Sequence, residues 1–428
     1  MVVGIAHAES KNPYLGLKEV IESVGGLAGI EGKGRVLIKP NMVGGTKSTP
    51  WFGSMTNPKV LEALIRYLIE ALGINSSKIT IGEGSCISLS TKEIFKILRI
   101  DKIAQKYQVN LVDFDDGPFQ RVQLGDTKVE INSLALQDEN YLINLPVLHT
   151  HIQVTFSGAV KNLKGFISKS SKREFHKIGL NKLLVELVKL VESDFTIIDA
   201  TFSMSKGPSP IGGIAHRTNF LLAGPSSLSC DAVACCLLSL DLDNIAYLRD
   251  SLKQRELWAD KEVWKIKNLE IRGSGIEEIR GRLNTINWGK QRRREDLFLN
   301  RGVKGVTLTA DETVCSGCIG VNANYHLAPF LLFKNRSYDI EVIFGQMKPQ
   351  TKASTKILYG DCAILSNSES DGQKIKGCPP PIAEFYPKFC NYLHSPHERL
   401  FAKLILPFLL RGWIKGKIPH WKEYKDWW

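Results

Sequence analysis

Through its N-terminal part the chain switches between two apolar spacings, short β-branched runs and longer stretches of helical period. Gly16 to Val24 reads as an amphipathic helix, and Arg35-Val-Leu-Ile-Lys39 as a strand that Pro40 must stop. Asn57-Pro58 opens the next helix with a polar cap and a proline in the first turn. Val60, Leu61, Leu64, Ile65, Leu68, Ile69 and Leu72 then hold the helical period up to Gly73. Lys78 to Gly82 is a strand with Glu83 and Ser85 at its carboxyl end. The spacing goes on to predict a helix from Thr91 to Tyr107 and a strand from Asn110 to Phe114. It also predicts a hairpin from Val122 to Ile131 turning at Gly125-Asp126, and a strand from Tyr141 to Leu145 ended by Pro146. A helix from Leu180 to Val191, a strand from Phe195 to Asp199 and an apolar helix opening at Asp231 complete the pattern.

Strands that alternate with helices point to an α/β fold, a largely parallel or mixed sheet with helices on both faces. In such sheets ligands sit beyond the carboxyl ends of the strands, where polar residues recur in this chain. The basic stretch around Lys290 and Arg292 to Arg294 marks a domain boundary. The expected organisation is an α/β domain over residues 1–290, a cysteine-rich module over 296–390 and an aromatic, basic tail over 391–428.

Composition changes this picture little, and charge changes it more. The 43% hydrophobic and 23% charged residues are ordinary for a globular chain. A net charge of +12 favours anionic partners without choosing among them. The first residues lack a signal-peptide pattern, and no apolar run reaches the roughly 18 to 20 residues of a membrane span. A cytoplasmic location is the expectation. There, nine cysteines argue against a disulfide framework.

Four of those cysteines lie in short turns: Cys315-Ser-Gly-Cys318, Gly360-Asp-Cys362 and Gly377-Cys378-Pro-Pro. Four soft thiolates suit an iron–sulfur cluster or zinc. A zinc ribbon usually supplies a second Cys-x-x-Cys, whereas Cys362 and Cys378 each come alone in glycine- or proline-flanked turns, which favours a [4Fe-4S] cluster. In this order the motifs resemble those of the cubane-binding subunits of nickel–iron hydrogenases and respiratory complex I. That resemblance implies the ligand type and no activity.

Upstream, Lys39-Pro-Asn41, Thr56-Asn-Pro58, His149-Thr-His151, Lys161-Asn162 with Gly165, His176, Asp199 and Gly207-Pro208 form a polar series. The series resembles the domain-of-unknown-function family 362, over about Val36 to Leu240, a group often joined to iron–sulfur modules. The resemblance implies a fold and a site more than a reaction. Chemically, Lys39 and Lys161 can pair with an anionic small molecule that Asn41 and Asn162 orient. His149, His151 or His176 can move a proton, and Glu83 or Asp199 can orient an imidazole or accept one. His149 and His151 face one side if they lie on a strand and need not do so in a loop. Asn57 is also adequately explained as a helix cap, Asp231 as the cap of its own helix, and a loop histidine as a solvated one.

No Gly-x-Gly-x-x-Gly or Walker loop gives motif support for a dinucleotide fold or an ATPase. In the tail, Lys415, Lys417, Lys422 and Lys425 interleave with Trp413, Trp421, Tyr424, Trp427 and Trp428. Such a segment suits docking on the chain itself, on a redox partner protein, or peripherally on anionic lipid. No nucleic-acid motif accompanies the charge. The expected function is an iron–sulfur oxidoreductase passing electrons to an anionic small molecule. The alternatives are a non-enzymatic electron-transfer or cluster-carrier protein, and a zinc-stabilised binding protein.

Overall fold

The computed structural model describes the chain apart from residues 43–44, 47–48, 51, 88–89, 152, 208–212, 289–302, 311–313, 315–317, 319–328, 331–332, 334, 379 and 405–428. The chain divides into two compact units. One takes in Met1–Gly207 with Ile214–Gly289, and the other falls within Lys290–Ile418.

The strands of the large unit are β1 (Val2–His7), β2 (Arg35–Pro40), β3 (Gly45–Thr46), β4 (Thr49–Pro50), β5 (Ile79–Glu83), β6 (Asn110–Asp113) and β7 (Phe119–Leu124). They continue with β8 (Thr127–Asn132), β9 (Asn140–Leu145), β10 (Val147–His151), β11 (Thr155–Ser157), β12 (Phe195–Ser205), β13 (Ile214–Gly224) and β14 (Glu270–Gly273). Among the described residues ten of these form one sheet in the order β14-β1-β13-β12-β9-β2-β5-β6, with β10 and β11 joining through β12. The strands from β12 through β9, β2 and β5 to β6 pair in parallel. β13 runs antiparallel between β1 and β12. The sheet is therefore mixed and mainly parallel, as the strand–helix alternation implied.

Helices cover both faces. Val3 and Ile5 of β1 and Leu37 of β2 point into a core shared with α7 (Leu180–Leu190), α8 (Ser227–Leu237) and α9 (Ala246–Gln254). Successive strand side chains alternate faces, so Gly4 points the other way. A Cβ built there would lie 2.8 Å from the Val20 carbonyl of α1 (Tyr14–Ser23). That close approach puts α1 on the opposite face.

Several elements differ from their spacing. The helix expected from Thr91 to Tyr107 is two, α3 (Thr91–Ile97) and α4 (Ile100–Tyr107), broken where Arg99 takes φ +55°. The strand expected to end at Asp199 continues to Ser205, because β13 pairs with it along its length. The β7–β8 hairpin turns at Gly125-Asp126 as expected.

The second unit holds a small parallel sheet in the order β15 (Lys304–Thr309), β16 (Ser337–Phe344), β17 (Thr355–Tyr359) and β18 (Gln373–Ile375). Phe330, Tyr359, Phe385 and Phe389 fill its core.

Candidate functional site

The parallel register of β9, β2 and β5 brings Leu145, Pro40 and Glu83 to one edge of the large sheet. Lys39, fully buried at the end of β2, donates from Nζ to Glu83 Oε1 at 2.7 Å, Pro40 O at 3.0 Å and Asn162 Oδ1 at 3.3 Å. An ammonium has three donors, and these contacts use all three. Glu83 also accepts from the Gly84 N–H at 2.8 Å and, through Oε2, from the Met42 N–H at 3.0 Å. Burial pulls Lys39 below the usual lysine range and pushes Glu83 above the usual carboxylate range, and each resists the other's shift. Gly165 explains part of the Lys-Asn-x-x-Gly pattern: a Cβ there would lie 2.4 Å from Glu83 Oε1 and from Lys39 Nζ.

Asn162 ties this pair to the next strand. Its Nδ2 donates to Lys39 O at 3.2 Å and to Asn144 Oδ1 at 2.8 Å, while Asn144 Nδ2 donates to Ala159 O at 2.9 Å. Asn162 ends the short helix α5 (Ala159–Asn162), whose first amides are held by Asp231. The Ala159 N–H donates to Oδ1 at 2.5 Å and the Val160 N–H to Oδ2 at 2.9 Å. Asp231 thus does not begin its own helix, which starts at Ser227; it caps a different one. Burial pushes its carboxyl up to about 7 against the pull of those two amides.

Lys161 lies between these anchored residues and is half-buried. Among the described residues its ammonium has no hydrogen-bonded acceptor. Burial, then the nearby Lys39 charge, pulls it down to about 8, with Cys86 acting in the opposite direction. Lys172, on α6 (Lys169–Ile178), donates to the Gly84 and Ser85 carbonyls, both at 2.8 Å, with Asp115 Oδ1 at 3.6 Å. It pins the loop that leads into half-buried Cys86. Sequence reasoning passed over Lys172, Asn144 and Cys86. Lys172 sits in a run of polar residues that reads as a solvated helix, and only the Gly-Glu-Gly-Ser-Cys run after β5 hinted at Cys86.

His149 and His151 lie on β10 and face one side, their ring centroids 6.5 Å apart. Both are buried. His149 Nδ1 is 2.8 Å from Thr150 O, so Nδ1 carries the proton and Nε2 keeps its lone pair. Burial and the Lys161 charge hold its pKa down to about 3, so the ring is neutral. His151 Nδ1 accepts from the Gln153 N–H at 3.2 Å. His176 belongs to α6, and its side chain lies outside the described residues.

The remaining expected residues brace the backbone. The Asn41 N–H donates to Thr56 Oγ1 and its Nδ2 to Ser54 O, both at 2.8 Å. Asp199 accepts from the Asn57 N–H at 2.7 Å and from the Thr201 N–H and hydroxyl at 2.9 and 2.7 Å. Burial raises it to about 6 against these bonds. Asn57 caps α2 (Pro58–Arg66) through the Lys59 N–H.

In the second unit, the loops bearing Cys362 and Cys378 are tied together. The Asp361 N–H donates to Gly377 O at 3.0 Å, and the Gly377 N–H to Asp361 Oδ1 at 2.8 Å. Gly360 takes φ +88°, and a Cβ on it would lie 3.3 Å from Cys318 Sγ. Glycine there admits the sulfur and the left-handed turn together. Cys318 Sγ therefore lies against the turn that leads into Cys362, and the backbone of that turn is bonded to the residue before Cys378. Cys315 lies outside the described residues. Among the described residues no group of three or more His, Cys, Asp or Glu is arranged to hold a metal ion.

Residues 36–236 match a family model, the domain of unknown function DUF362. The matched stretch contains Lys39, Glu83, His149, Lys161, Asn162 and Asp231. The thylakoid-associated protein sll1697 of Synechocystis sp. is 27% identical over 232 residues, covering 53% of this chain and 70% of that protein. No helix among the described residues is long and apolar enough to cross a membrane.

Proposed function

We propose that the chain is an iron–sulfur oxidoreductase acting on an anionic small molecule. In this reading Cys315, Cys318, Cys362 and Cys378 hold a [4Fe-4S] cluster, with zinc as the competing occupant. When bound, such a cluster supplies one-electron transfer. The observation that carries the reading is the paired turn at Gly360 and Gly377, which brings Cys318 Sγ against the loops of two further cysteines.

The large unit supplies the substrate side of the proposal. Lys39 is matched by Glu83 and Lys172 by Asp115, so Lys161 is the cation left over for a ligand's negative charge. Asp231, Asn162 and Asn144 hold the helix that presents it. Neutral His149, with Nδ1 engaged by Thr150 O, leaves its Nε2 lone pair to accept a hydrogen bond from a ligand. The proposed compartment is the cytoplasm, where thiols stay reduced. The charged tail is proposed to meet a redox partner or an anionic lipid surface; the name of the Synechocystis relative, a thylakoid-associated protein, is in keeping with the latter.

Changing Lys161 to Ala in the anaerobically isolated protein separates enzyme from carrier. An enzyme loses turnover of the anionic substrate while its iron content holds. A carrier exchanges electrons with its partner at the unchanged rate and shows no small-molecule turnover.

A further inference from the structure

We propose that Lys161 is an imine-forming lysine that captures the oxo group of a small anionic carbonyl compound of the 2-oxo acid type. The inference rests on the anion-site reading above and names its substrate class. Four observations converge on it. First, among the described residues Lys161 has no hydrogen-bonded acceptor, whereas Lys39 and Lys172 spend their donors on Glu83, carbonyls and Asp115. An amine whose donors are all engaged cannot present its lone pair to a carbonyl carbon; Lys161 can.

Second, its helix is fixed from both ends. Asp231 holds the Ala159 and Val160 amides, and Asn162 is clasped by Lys39 and Asn144. This anchoring fixes the backbone from which the Lys161 side chain extends. Third, Lys39 sits close enough to Lys161 to oppose its charge, which favours the neutral, nucleophilic amine near physiological pH. Fourth, His149 lies within electrostatic reach of Lys161, neutral, with Nδ1 engaged by Thr150 O and Nε2 open.

The chemistry balances without an added oxidant or reductant. The Lys161 amine adds to the carbonyl carbon and gives a carbinolamine. The proton that the Lys161 ammonium gives up before attack returns to the departing hydroxyl, beside the hydrogen-bond-accepting Nε2 of His149, and one water leaves as the C=N bond forms. The protonated imine keeps one positive charge in a place where burial and Lys39 oppose it. A carboxylate on the same small molecule compensates that charge, so an anionic carbonyl compound is favoured over a neutral one of equal size.

The test uses the full chain, isolated anaerobically, with pyruvate, glyoxylate or acetone and sodium cyanoborohydride, read by intact mass and peptide mapping. Binding of pyruvate and glyoxylate without reductant is followed in parallel by calorimetry, on the native protein and on Lys161→Arg. The expected result is one reduced adduct per chain on Lys161 with an oxo acid, at least tenfold less with acetone, and none in Lys161→Arg. The rate of trapping should rise with pH through about 8. Binding of the oxo acids without a reducible adduct overturns the imine and leaves the anion site standing. Adducts scattered over surface lysines overturn it as well. Neither binding nor adduct overturns both the imine and the anion-site reading beneath it.

Discussion

The Lys39–Glu83 pair sets the terms of the site at the scale of single residues. Two charges taken out of water cost several kcal/mol each, and only a complete set of hydrogen bonds makes the pair tolerable. Removing one partner leaves the other buried and uncompensated. Glu83→Gln and Lys39→Met are each expected to lower unfolding stability by about 3–5 kcal/mol, and the double variant by less than their sum. Denaturant titration of the four proteins checks this; strict additivity would mean that the two groups do not depend on each other.

Lys161 carries the opposite signature, a half-buried cation with no hydrogen-bonded acceptor among the described residues. Its proton leaves the folded protein at about 8, below the roughly 10.4 of an unfolded lysine. Below pH 8 both states carry the charge and the burial cost stands in full. Above it the folded state sheds the proton and the cost fades. Lys161→Met should therefore be more stable than the native protein at pH 7, with an advantage that shrinks between pH 8 and 10. A stability difference that is flat across that range would count against the buried ammonium.

At the scale of elements, the unexpected agent is Asp231. From sequence it reads as the opening of an apolar helix, since nothing local reveals that its carboxylate caps α5, seventy-odd positions earlier in the chain. Asp231→Asn supplies an amide that can satisfy only one of the two N–H donors. A buried donor left unpaired costs about 1–3 kcal/mol. Amide hydrogen exchange at Ala159 and Val160 should quicken markedly in that variant while β2 and β5 stay protected. Unchanged protection would show that α5 is held by other means. Gly360→Ala is the matching change in the second unit, forcing a Cβ into a left-handed turn 3.3 Å from Cys318 Sγ. It should destabilise that unit by about 1–3 kcal/mol and leave the α/β unit untouched; equal damage to both would argue that the units unfold as one.

Taken as a whole, the molecule was legible where one property repeats along the chain. The mainly parallel sheet follows from alternating spacing, and the strand-end location of Lys39 and Glu83 follows from proline and glycine stops. Pairing across long separations left no such trace. The extension of β12 to Ser205 depends on β13, and the break at Arg99 on a left-handed residue that apolar spacing cannot register. The site divides the same way. Lys39 and Asn162 stand out by residue type beside turns, and the structure brings them together, with His149 in electrostatic reach of Lys161. Asn41 and Asp199 look equally reactive in sequence, yet the structure engages the Asn41 Nδ2 with Ser54 O and the Asp199 carboxylate with Asn57 and Thr201.

The reading of the whole chain stands on what its cysteines hold. Iron, zinc and acid-labile sulfide should be measured on anaerobically isolated protein, with an electron paramagnetic resonance spectrum after reduction. The account expects a brown protein with about four irons and four sulfides per chain, a reduced-cubane signal, and loss of both in Cys362→Ser. A colourless protein carrying one zinc per chain and no sulfide would contradict it.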